Sequence, residues 1–217
     1  MAAERVGKGY RVVPARLPED VGAELLAGLG RLTACRALGE ASLRDVCAAL
    51  LSIDKAADVP DAAGAVAIFA TLGSTAARRD AVAGLVRARA GILGDALSAS
   101  AMILLRQHRT LDERHGETGG CAILRLDVPG ADPVLVWDQP ELRTGHLEPR
   151  SGETEDETRA RVATFAERHA VRLAPLVALA DEFDAWSASA RALCQQIQLA
   201  AAGIVPSFAP PGQMSMD

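Results

Sequence analysis

Aromatic side chains are scarce: four Phe, two Trp and one Tyr make up 3% of 217 residues. Sandwich and barrel cores lean on aromatic and β-branched residues, so the shortage argues against an all-β protein. With hydrophobic residues at 49%, the core is expected to be aliphatic, Ala-rich and helical. Lysine is nearly missing, since Lys8 and Lys55 are the only two among 23 basic residues. Together with the abundance of Ala and Gly, that reads as base composition rather than chemistry. The four cysteines, Cys35, Cys47, Cys121 and Cys194, form no CxxC pair and have no histidine at metal-site spacing, so they read as small buried hydrophobes. Phosphate-binding glycine loops, GxSxG elbows and HExxH motifs are absent too, and Gly28-Leu29-Gly30 sits inside a helical pattern rather than after a strand. Met1–Pro18 carries charges and no apolar core, which speaks against a secretory signal. The uncharged Ala-rich run Ala62–Ala77 falls short of the ~18–20 apolar residues of a membrane span, and Gly, Ser and Thr interrupt it. A soluble, cytoplasmic chain with no membrane partner is the expectation.

What is present reads as one mainly α domain: an up-and-down bundle of about five helices with a small β-hairpin insert. Residues 1–17 read as a polar N-terminal arm with a short strand at Tyr10–Val13, and 18–203 as the helical domain. The hairpin falls at about 119–138, and 204–217 is a flexible tail with three prolines. Pro18-Glu19-Asp20 suits a helix start, because acids favour the positive end of the helix dipole. The spacing supports one helix over residues 19–53, or two with a break near Gly39. Asp54–Val59 is a connection. Pro60-Asp61 and Ser74-Thr75 open two further helices.

A fourth helix begins near Gly91. Its apolar stripe, Leu93, Leu97, Ala101, Leu104, His108, Leu111 and His115, repeats every three or four residues and so occupies one face. Gly116–Gly120 closes that helix. Cys121–Val128 alternates apolar and polar residues as a half-buried strand, and Val134–Trp137 is its partner across a Pro-Gly turn. Gln139–Gly152 is a polar loop, and Thr154-Glu155-Asp156-Glu157 has the capping-box pattern. In the helix that follows, Pro175 predicts a kink or a junction. Trp137 and Trp186 read as packing anchors.

The net charge of −5 is unevenly spread: residues 1–116 hold 15 basic and 13 acidic groups, residues 117–217 hold 8 and 15. An acidic chain with pI near 5.4 lacks a broad nucleic-acid-binding face. A local cleft on the near-neutral first half stays open. The segment there with chemical potential is Arg106-Gln107-His108-Arg109-Thr110-Leu111-Asp112-Glu113-Arg114-His115-Gly116. Histidine supplies a proton acceptor near neutral pH, and the planar guanidinium of Arg suits charge developing on phosphorus. Six positions along a helix separate Arg109 from His115 by roughly 9 Å and put them on different faces. A second chain packed antiparallel could supply the missing partner. Arg109 also precedes Asp112 and Glu113 by three and four residues, the spacing of an intrahelical ion pair, and those acids repel phosphate. A metal held by His108, His115 and His169 is disfavoured, because His108 and His115 lie ~10 Å apart on the helix. His146 carries no pattern.

Arg109, five intervening residues and His115-Gly116 at the end of a long helix resemble the motif of the HEPN superfamily. The wider order is similar to uncharacterised bacterial HEPN-like proteins over about residues 20 to 185. It runs from a Leu-rich segment at Val46–Ile53, through Ala77-Arg78-Arg79-Asp80, to the motif helix, an insert and a closing helix. Thr110 stands where the family commonly has Asn. The resemblance implies a homodimer and a metal-independent ribonuclease or toxin/defence component acting on RNA or a nucleotide. Arg109 and His115 would be catalytic, Arg106, Arg114 and His108 substrate-binding, with no cofactor. A non-catalytic helical scaffold or oligomerisation module, and a nucleotide sensor using Arg106, Arg109 and Arg114, are the alternatives.

Overall fold

The computed structural model describes residues 5–7, 10–16, 20–53, 61–118, 122–139, 142 and 147–204. Expectations on Lys8, Pro18, the Asp54–Val59 connection, Cys121, His146 and the tail from 205 lie outside the described residues. The described chain is mainly α, with six helices and a small four-stranded antiparallel sheet. No helix among the described residues is long and apolar enough to cross a membrane. In chain order the elements are β1 (Arg5–Gly7), β2 (Tyr10–Pro14), α1 (Ala23–Ser52), α2 (Ala62–Thr71), α3 (Thr75–Ala88), α4 (Ala90–Thr118), β3 (Ile123–Asp127), β4 (Val134–Trp137), α5 (Glu155–His169) and α6 (Leu173–Ala201). They form two compact units, one of residues 1–35 and 113–181, the other of 36–112 and 182–217. Helices α1, α4 and α6 each contribute residues to both.

The first unit holds the sheet, in the order β1-β2-β3-β4. The expected hairpin is β3–β4, paired Ile123↔Trp137 to Leu126↔Val134. The N-terminal segment does not stay a free arm: β2 pairs with β3, Val12 opposite Leu126, and β1 pairs with β2. The reason is a matching period of two. Tyr10 and Val12 face inward with Leu124, Leu126 and Val128, while Arg11, Arg125 and Asp127 alternate with them. α5 covers this face through Val162 and Phe165. Of the expected helix start Pro18-Glu19-Asp20 only Asp20 is described, and it precedes the helix. Its carboxylate accepts from the Arg16 amide at 2.7 Å and from Arg125 at 2.8 Å, and α1 begins three residues later.

The C-terminal helical pattern resolves into α5 and α6, with Pro175 in the first turn of α6, where its missing N–H costs nothing. Thr154 caps α5 as a full capping box, its hydroxyl accepting from the Glu157 amide while the Glu157 carboxylate accepts from the Thr154 amide at 2.8 Å. Thr154→Ala is expected to lower stability by about 1 kcal/mol. In urea denaturation this appears as an earlier midpoint at unchanged slope. A midpoint that does not move would show that the cap is dispensable.

In the second unit α1 continues without a break at Gly39. A Cβ there would lie 3.3 Å from the Phe183 ring, so glycine permits close approach of α6, which offsets its ~1 kcal/mol helix penalty. Asp61 caps α2 through the Gly64 amide, and Ser74 caps α3 through the Ala77 amide. Gly94 interrupts α4 with φ 73, a left-handed value that suits glycine, so the regular helix bearing the motif runs from there onward.

Candidate functional site

The apolar stripe of α4 is buried as its spacing predicts, from Leu93 through Leu97, Ala101, Leu104 and Leu111. His108 shares that fate, at 1% exposure. Its ring tilts against Trp186 with centroids 4.5 Å apart and meets Phe183 edge-on at 6.4 Å. Neither ring nitrogen has a hydrogen-bond partner among the described residues. Burial drives its pKa down to about 4, with Arg79 and Arg36 adding to the fall and Glu40 and Asp112 opposing it. At neutral pH this imidazole is uncharged.

Around His108 stands an ionic cluster drawn from three helices. The Asp112 carboxylate faces Arg36 Nη2 from α1 at 3.4 Å and Arg79 Nη1 from α3 at 3.8 Å. Glu40, one turn beyond Arg36, accepts from the Thr75 hydroxyl and from Arg78 at 3.2 Å. Arg78 also covers the Phe69 ring at 5.6 Å and donates to the Leu72 carbonyl. Ala77-Arg78-Arg79-Asp80 thus places both arginines toward α1 and α4. The expected Arg109–Asp112 spacing is real, but Asp112 turns to Arg36 and Arg79. Arg106 and Arg109 are exposed on the same helix. Sequence reasoning missed Arg36, Glu40, Arg79 and Trp186 as neighbours of His108. Their one local signal is the Arg36/Glu40 pair four residues apart.

The remaining candidates fall in the first unit. Arg114 and His115 are half-buried on α4, which runs past Gly116 to Thr118, so His115 precedes the helix end by nearly a turn. Arg109 and His115 therefore belong to different units. The first unit also contains a cleft of about 590 Å³ between the end of β4 and the α5–α6 junction, lined by Trp137, Gln139, Arg168, His169 and Arg172. Its wall is fixed by the Val171 amide donating to the Leu135 carbonyl at 2.8 Å and by His169 tilted on Phe165 at 4.4 Å.

The thiols of Cys47 and Cys194 add no nucleophile. Burial first, and Asp61 next, push Cys47 up to about 11; burial and Asp45 push Cys194 up to about 12. Among the described residues no group of three or more His, Cys, Asp or Glu is gathered to hold a metal ion. No protein family, curated protein or solved structure matches this chain.

Proposed function

We propose that the chain is a HEPN-like helical protein that cleaves RNA without a metal, using Arg109 of one copy and His115 of a second. The observation that carries this reading is the arrangement along α4: Arg106 and Arg109 are exposed, and Arg114 and His115 follow, half-buried, in the last turns before the helix ends at Thr118. In the proposed reaction His115 removes the 2′-hydroxyl proton and the freed oxygen attacks phosphorus. The 5′-oxygen then leaves, taking a proton from water to become a 5′-hydroxyl, and a 2′,3′-cyclic phosphate remains. Arg109 offsets the charge that develops on the phosphoryl oxygens.

Purified protein is expected to cleave mixed RNA in EDTA. His115→Ala and Arg109→Ala should each lower the rate by ~100-fold or more. Light scattering should return twice 22.6 kDa, and a monomer mass removes the composite site. A non-catalytic oligomerisation module is the second reading, favoured by Ile103, half-exposed on α4 at 53%. It keeps the dimer and leaves RNA intact.

A further inference from the structure

We infer that Arg36, Arg79 and His108 form an oxyanion subsite in the second unit that takes one phosphate group. Its starting observation is a set of unpartnered polar atoms. Among the described residues Arg36 Nε, Arg79 Nη1 and both nitrogens of His108, one of them the N–H donor of the neutral ring, are buried without a hydrogen-bond partner. A buried polar group left unsatisfied costs about 1–3 kcal/mol, and native folds hold few of them. Here they gather around one carboxylate. Asp112 accepts from Arg36 through Nη2 at 3.4 Å, which leaves Nε without a partner, and at 3.8 Å it lies beyond a good N–H···O bond to Arg79 Nη1. The second acid of the cluster, Glu40, is already engaged by Thr75 and Arg78.

Charge points the same way. Three guanidiniums, Arg36, Arg78 and Arg79, stand against the two carboxylates of Glu40 and Asp112, which leaves one positive charge over. A cation finds no free acceptor in such a set. A tetrahedral oxyanion offers several acceptor oxygens in different directions, matched to two guanidinium edges and an imidazole N–H. The cluster meets solvent at its outer edge, where the Arg36 side chain is 37% exposed, with the Arg79 side chain, 12% exposed, and the buried His108 behind it. His108 forms the inner wall, held in place by Trp186 and Phe183.

This subsite uses neither Arg109 nor His115, so it stands apart from the RNA-cleaving reading. The phosphate could belong to a free phosphate or phosphomonoester, or to an RNA backbone.

The test is an NMR titration of the full chain, following the His108 ring and the Arg36 Nε–H. Inorganic phosphate is added against chloride at matched ionic strength, with a short RNA in a parallel arm. Phosphate-specific shifts at both groups are expected, weakened at least about tenfold in Arg79→Gln. Arg36→Gln, at a partly exposed position, provides the same reading if Arg79→Gln fails to fold. A response to inorganic phosphate assigns the site to free phosphates, and a response to RNA alone assigns it to a backbone phosphodiester. The inference is overturned if neither ligand shifts these groups in the folded chain, or if both variants respond as the parent does. Intact RNA with phosphate shifts removes only the cleavage reading, whereas cleavage without shifts removes only this subsite.

Discussion

Trp186→Ala is expected to cost about 4 kcal/mol of stability, which for a chain of this size lowers Tm by roughly 10 °C. Trp186 is 4% exposed. Its indole N–H donates to the Leu104 carbonyl at 2.9 Å, and its ring is the face against which His108 packs. Truncation therefore removes a large buried surface and a buried hydrogen bond, and it leaves His108 beside a cavity. Trp186→Phe keeps most of the ring burial and loses the N–H donor, for a cost nearer 1–2 kcal/mol. Thermal and urea denaturation followed by circular dichroism measure both. A loss below about 1 kcal/mol in the alanine variant would show that the second unit repacks without this side chain.

Mild acid should also destabilise the chain, through His108. In the folded state its imidazole protonates only near pH 4, held down from 6.5 by burial. The unfolded chain takes up that proton from pH 6.5 downward. The stability contributed by the neutral ring is therefore whole above 6.5 and is lost as the pH falls through the window to about 4. The total loss is about 3 kcal/mol. His108→Phe keeps an aromatic ring against Trp186 and removes the titrating group, so its stability should vary less between pH 6.5 and 4.5. The comparison belongs in a buffer without phosphate, because an oxyanion at Arg36 and Arg79 would favour the protonated ring and blunt the slope. Equal pH slopes for parent and variant would show that other groups govern acid unfolding.

Local chemistry made much of the fold legible. Val134–Trp137 was readable as a strand because period-two alternation and a Pro-Gly turn are properties of neighbouring residues. The Thr154 capping box, the Ser74 cap and the buried stripe of α4 are likewise written within a few residues of chain. Contacts made at a distance were not readable. β2 finds β3 across more than a hundred residues, and Tyr10 and Val12 give no hint of that pairing until a second strand of the same period lies beside them. Whether the chain breaks near Gly39 stays open in the sequence, because what compensates the glycine is the Phe183 ring, far along the chain. The candidate site divides in the same way. Arg106, Arg109 and His108 were singled out by their spacing on one helix. The contacts of Asp112 with Arg36 and Arg79 were not readable, since those arginines come from other helices.

The two units are each assembled from separated stretches, 1–35 with 113–181 and 36–112 with 182–217. On a ribosome this means that no completed unit can form early. The second unit has its first four helical stretches synthesised well before α6 arrives with Phe183 and Trp186, so the ring face for His108 is among the last parts delivered. A stop codon after β4 would leave both halves incomplete rather than one intact and one missing. Fragment expression cannot isolate either unit by a simple cut, and separating them would require a circularly rearranged or two-piece chain.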